Sequence, residues 1–148
     1  MAAVRILMKA HQEIKELLNQ FEAAGERAYK TKQEIAEMTF TGISAHYRME
    51  EQIFYPAIQA RAGTEIRKFI LAEIEEHHFL NYMIQRIRET KPDDATFDAK
   101  YSMLSSSIRQ HIREEEVLLF PLSRTILTKE ELDRMGAEME TLGRKMVP

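Results

Sequence analysis

The sequence contains no cysteine, and that one absence removes disulfides, thiolate nucleophiles, iron–sulfur clusters and zinc-ribbon sites together. Any metal held by this chain must be bound by imidazole and oxygen, a ligand set that suits iron, manganese, zinc or copper. A basic cluster is missing too: 21 Lys+Arg stand against 24 Asp+Glu, spread along the chain, for a formal net charge of -3. Nothing in that pattern recruits nucleic acid or an anionic membrane. No run of about 18 apolar residues occurs, and the N-terminal Met-Ala-Ala-Val-Arg-Ile-Leu-Met-Lys has too short an apolar stretch for a signal peptide. The expectation is a soluble, cytoplasmic protein. No segment alternates with period two for long, so strands are not expected either.

What is present is helical periodicity in every long segment. At 148 residues, with 44% hydrophobic and 30% charged, the chain predicts one domain over 1–148 with a core of its own. The first helix runs from about Ala3 to Ala23, with Leu7, Ile14, Leu18, Phe21 and His11 on one stripe and Gly25 just past its end. The second starts at Thr31, which has capping-box spacing to Glu34, and runs to about Ala62 before Gly63. Its stripe is Ile35, Met38, Gly42, His46, Met49, Glu50 and Ile53, and Pro56 should bend or break it. The third, N-capped by Thr64, reaches about Thr90 with Ile66, Ile70, Glu73, His77, Leu80, Ile84 and Ile87 inward and His78 on the flank. After Lys91-Pro92-Asp93-Asp94 a fourth runs from about Ala95 to Phe120, its stripe Leu104, Ile108, His111, Glu115, Leu118 and Leu122. A short fifth is signalled by Thr128-x-x-Glu131, with Leu127 and Leu132 placed as a staple and Leu132, Met135, Met139 and Leu142 facing the bundle. The fold expected is an all-α, up-down-up-down four-helix bundle with this fifth helix packed outside it.

One stretch is spelled twice. Residues 46–56 read His-Tyr-Arg-Met-Glu-Glu-Gln-Ile-Phe-Tyr-Pro and residues 111–121 read His-Ile-Arg-Glu-Glu-Glu-Val-Leu-Leu-Phe-Pro. On a helix, positions i and i+4 share a face, so each copy points an imidazole and a carboxylate in one direction. In an alternating bundle, His11, His46, Glu50, Glu73, His77, His111 and Glu115 fall in one slab, roughly 12–20 Å from one end at about 1.5 Å per residue. An isolated His-x-x-x-Glu pair is ordinarily a solvated helix-face pair, and a lone inward histidine such as His11 is ordinarily a hydrogen-bonded core residue. Seven such groups on apolar stripes at one depth are different. Burying each ion costs several kcal/mol without compensation, and few inward cations are available to neutralise the carboxylates. A metal pair supplies that compensation, with Glu50 and Glu115 bridging, His11 and His46 on one ion, and His77 and His111 on the other.

This pattern, with His46-x-x-x-Glu50 running into Phe-Tyr-Pro, Glu-Glu-His77, and His111-x-x-x-Glu115 running into Leu-Phe-Pro, resembles the hemerythrin-like (HHE cation-binding) proteins. The resemblance covers nearly the whole chain. It implies a non-haem di-iron centre, carboxylate-bridged and oxo- or hydroxo-bridged, that binds oxygen, peroxide or nitric oxide. The implied nitrogen ligands are His11, His46, His77 and His111, and the bridging carboxylates are Glu50 and Glu115. Classical oxygen carriers of the family have His-x-x-x-His on the third helix, where this chain has Glu73-x-x-x-His77; their fourth-helix aspartate at i+5 is replaced by Glu115 at i+4. A ligating Glu73 would stabilise the ferric state and lean the centre toward peroxide-removing or oxidase-type chemistry.

Three rivals stand beside that reading: an oxygen- or iron-sensing or storage module without turnover, a repair protein for damaged iron centres, and a plain bundle without metal. Sensors of this kind usually join a partner domain, and repair relatives carry a cysteine-bearing N-terminal segment; neither is expected here. Tyr47 and Tyr82 are assigned no role. The sequence leaves open iron against manganese, the physiological ligand and the electron donor. A monomer is expected.

Overall fold

The structure, a computed structural model, describes residues 2–146. The first rod is α1 (Ala2–Ala23). The second is α2 (Tyr29–Met49), which runs through a π-helical turn, Glu50–Phe54, into α3 (Tyr55–Gln59). The third is α4 (Thr64–Arg88). The fourth is α5 (Ala95–Glu114), which runs through a second π-helical turn, Glu115–Leu119, into α6 (Phe120–Ile126). A fifth helix, α7 (Lys129–Met146), packs along α1 and the end of α2. The expected all-α bundle is observed, and no described helix is long and apolar enough to cross a membrane.

Two apolar layers sandwich a polar one. Ile14, Leu18, Ile43, Leu80, Ile84 and Ile108 belong to one buried cluster; Leu7, Phe54, Ile58, Ile70, Leu119 and Phe120 belong to another. On α1, His11 falls between Leu7 and Ile14; on α4, Glu73 and His77 fall between Ile70 and Leu80. The two repeats occupy the same position on the rods containing α2 and α5. Hydrophobic burial of both layers therefore holds the polar groups at one level and keeps water from them.

Several helix ends differ from expectation. α2 begins at Tyr29, and its N-cap Ala28 makes no side-chain bond. The Thr31–Glu34 box is bypassed because Lys32 is buried beside Phe21, with its ammonium bonded to the Glu26 carbonyl at 3.2 Å and to Asp98 at 2.9 Å, which pins the α1–α2 turn earlier. Met38 is 51% exposed, and the inward positions are instead Ala36, Thr39, Phe40 and Ile43. Gly63, not Thr64, caps α4, while Asp94 caps α5 by accepting from the Thr96 N–H at 2.8 Å. The Thr128–Glu131 box forms as expected, but the helix it starts has 18 residues and is not short.

The prolines do not break their helices. In each repeat the carbonyl of the inward glutamate accepts from the N–H five residues later, Tyr55 to Glu50 and Phe120 to Glu115, and the rod then continues. Pro56 and Pro121 cannot donate to residues four back, and their rings would press on those carbonyls. One widened turn relieves both problems. The extra residue also rotates everything downstream: Leu118, expected inward, is 56% exposed, and Leu119 and Phe120 are buried in its place.

Candidate metal centre

The four histidines present Nε2 to a common interior. His11 Nε2 lies 2.9 Å from His46 Nε2, and His77 Nε2 lies 3.2 Å from His111 Nε2. Between the two pairs sit the inward glutamates of the repeats. Glu50 approaches His46 at 3.3 Å and His77 at 3.2 Å; Glu115 approaches His11 at 3.1 Å, His111 at 3.4 Å and His46 at 3.6 Å. All six residues are buried. The structure thus brings together six of the seven residues expected from the sequence, in the pairing expected.

Glu73, the seventh, takes another place. Its Oε2 lies 2.9 Å from His111 Nδ1, on the outer edge of the ring, and not against the Nε2 that faces the interior. Its ligand atom is nonetheless within 4.8 Å of those of His111 and Glu115. His78 stays on the exposed flank, 3.4 Å from Glu75.

Outer carboxylates that periodicity did not single out back the rings. Glu116, the residue after Glu115, accepts from His11 Nδ1 at 2.9 Å, and Glu51, the residue after Glu50, lies 3.5 Å from His77 Nδ1. The doubled glutamate of each repeat therefore has two functions, one oxygen pair inward and one behind a ring on a different helix. Such contacts fix the ring orientation and raise ligand basicity. The signal was available in the repeat itself, as a second glutamate at i+5 in both copies.

Tyr55 was also missed. Its hydroxyl donates to Glu115 Oε2 at 2.9 Å and lies 3.4 Å from His77 Nε2. In an unbroken α-helix Tyr55 would stand about 140° round from Glu50; the widened turn places it one level above on the same side. Phe120, its counterpart, stacks on His11 with ring centroids 5.3 Å apart. Tyr47, assigned no role from the sequence, stacks on His77 at 3.6 Å.

The electrostatics are those of a site built for cations. Burial disfavours charge on both carboxylates, yet His46 and His111 hold Glu50 below the usual range, and the contact with Glu50, followed by His11, His111 and His46, holds Glu115 well below it. Burial likewise works against a charged His46, but Glu50 and Glu115 outweigh it and raise its pKa to about 9. Burial pushes Glu73 up to about 8 against the pull of His111. Burial, with Glu50 and Glu115 nearby, drives the Tyr55 hydroxyl far up, so it remains a donor.

The donor set fits a metal. Both Glu50 oxygens, His46 Nδ1 and His77 Nδ1 are buried without an aligned hydrogen-bond partner. Each facing pair of Nε2 atoms can be joined by one shared proton, whereas a cation takes the lone pairs of both. Ligand atoms of His11, His46, Glu50 and Glu115 all lie within 4.8 Å of one another, as do those of Glu50, His77 and His111. A cation among them satisfies the orphaned oxygens and the nitrogens together.

Comparison with known proteins agrees with this geometry. A crystal structure of a hemerythrin HHE cation binding domain-containing protein from Mycobacterium kansasii superposes with a TM-score of 0.83 at 20% identity, covering 96% of this chain and 85% of that one. A curated protein named DNA nickase, from Nostoc sp., is 23% identical over 114 residues, which is 77% of this chain. The chain spans about a third of the length of that relative, 32%. Residues 2–123 match the hemerythrin HHE cation binding domain. With that match over most of its length, and with a buried His/Glu cluster able to bind metal, the chain belongs to the hemerythrin HHE cation-binding family.

Proposed function

We propose that the centre holds two iron ions and acts on oxygen, peroxide or nitric oxide, with peroxide removal or a related redox reaction as its work. His11 and His46 would hold one ion, His77 and His111 the other, and Glu50 and Glu115 would be shared. The observation that carries this reading is the convergence of four Nε2 atoms on two buried carboxylates that, among the described residues, no lysine or arginine approaches. A bound iron pair would supply the electrons that reduce peroxide to water.

The chain's own residues do the rest. The aliphatic layers above and below exclude bulk water from the centre. Tyr55 keeps its proton and donates a hydrogen bond to Glu115 Oε2 at 2.9 Å, and the same hydroxyl, 3.4 Å from His77 Nε2, can orient a small oxidant bound beside His77 by hydrogen bonding. Glu73 sits behind His111, 2.9 Å from its Nδ1, where its carboxyl oxygen faces the ring nitrogen opposite the one aimed at the interior and would make His111 a stronger donor. That favours the ferric state, in the same direction as direct ligation would.

The test is metal content with an optical spectrum, before and after peroxide is added to the dithionite-reduced protein. Two irons per chain with irreversible oxidation and rapid peroxide consumption are expected. A spectrum that returns to the reduced form when oxygen is removed would instead mark a carrier or sensor.

A further inference from the structure

Behind His111 lies a second group of oxygen donors. Glu73 and Glu76 stand three apart on α4, and Glu114 closes the group from α5; their ligand atoms lie within 4.8 Å of one another. Exposure is graded across the group. Glu73 is buried, the Glu76 side chain is 41% exposed and Glu114 is half-buried, so one side opens to solvent. Among the described residues none of the three pairs with a lysine or arginine. Gln110 donates to Glu114 at 3.3 Å, and among the described residues the basic group that faces the other two is His111.

His111 supplies an independent sign of what belongs there. Its Nδ1 is buried and aims into the group, 2.9 Å from Glu73 Oε2 and 3.8 Å from Glu76 Oε2, yet neither it nor Glu73 Oε2 has an aligned hydrogen bond. The counterpart atom, His11 Nδ1, is satisfied by Glu116 alone. Glu73 also belongs to the group it forms with His111 and Glu115, whose ligand atoms again lie within 4.8 Å. Oxygen donors thus run from the surface to the centre in steps that one swinging carboxylate can span.

We propose that Glu73, Glu76 and Glu114 form an outer site for a divalent cation, which captures the ion at the surface and passes it to the buried centre past His111. Three carboxylates make a hard site, suited to ferrous iron, manganese, magnesium or calcium ahead of softer ions. The destination rests on reading the centre as metal-holding; capture at the surface does not.

Titration of the metal-free full chain with Mn2+, followed by the electron paramagnetic resonance of the free ion, separates the two. The native protein should bind its tight ions and then one further, weaker Mn2+ per chain. In the Glu76→Gln/Glu114→Gln variant the weak ion should be lost, the tight ones kept, and loading of the centre slowed about tenfold. Glu114→Gln alone, at a half-buried surface position, should show the same loss in weaker form and guards against misfolding of the double variant. Equal weak binding in the native protein and both variants would overturn the outer site. A missing tight phase in the native protein would instead defeat the metal reading of the centre, and leave the weak ion to be judged by the same variants.

Discussion

Tyr55 reaches across the bundle from the first repeat to donate to Glu115 of the second, at 2.9 Å, while its counterpart Phe120 has no hydroxyl to return the contact. The centre is nearly symmetric in its ligands and asymmetric in this one oxygen. The half of the site beside His77 therefore carries a hydroxyl hydrogen-bond donor, and Phe120 supplies none to the half beside His11.

Tyr55→Phe should leave the bundle intact, because Phe120 shows that the larger fold accepts phenylalanine at this level. Glu115 Oε2 loses its donor, which should cost the metal-free protein about 1–3 kcal/mol in denaturant unfolding. In the metal-loaded protein, peroxide consumption should fall at least tenfold with metal content unchanged. Undiminished peroxide consumption would show that the Tyr55 hydroxyl does not orient the oxidant.

Glu116→Ala strips the backing from His11 Nδ1 and should weaken metal binding about 10–100-fold, with Glu116→Gln recovering part of it. Competition with a chelator of known affinity measures this. The same substitution at Glu51 should have a smaller effect, since its contact with His77 is longer, 3.5 Å against 2.9 Å.

Protons and metal compete for His46, which has a pKa raised to about 9 by Glu50 and Glu115 against the effect of burial. In the metal-free protein the folded value lies above the unfolded one, about 6.5. Its contribution to stability is therefore fully present below about pH 6.5 and fades as pH rises through about 9. Metal needs the deprotonated nitrogen, so affinity should climb with pH up to about 9 and then level off. Isothermal titration in buffers of different ionisation enthalpy would register the released protons; affinity independent of pH between 6.5 and 9 would contradict the assignment.

Gly136 lets α7 lie against the start of α1. A Cβ there would stand 2.6 Å from the Ala2 Cβ and 3.0 Å from Ala2 and Ala3 backbone atoms. Gly136→Ala should lower thermal stability by about 1–3 kcal/mol through overpacking, with the metal content of the folded protein unaltered, because the contact is remote from the His/Glu layer. Metal loss at temperatures where the fold persists would show that α7 supports the centre directly.

Local periodicity was enough for the bundle, the depth of the polar layer and six of its residues. Helical spacing fixes which side chains share a face, and a buried imidazole or carboxylate on an apolar stripe is costly without a partner. A period of 3.6 could not foresee the two widened turns, because Pro56 and Pro121 are compatible with a kink, a break or a π-turn, and only packing against the other rods selects among them. From that choice follow the inward swing of Tyr55 and the outward turn of Leu118. Nor could spacing on one helix say which edge of His111 Glu73 meets, or that Glu51 and Glu116 back rings carried by other helices. Those are contacts between elements, set by the relative rotation of neighbouring rods. The sequence by itself determined that a buried layer of histidine and glutamate able to bind metal exists and which side chains face it; the tertiary structure alone decided what stands behind each of them, because those contacts join different helices.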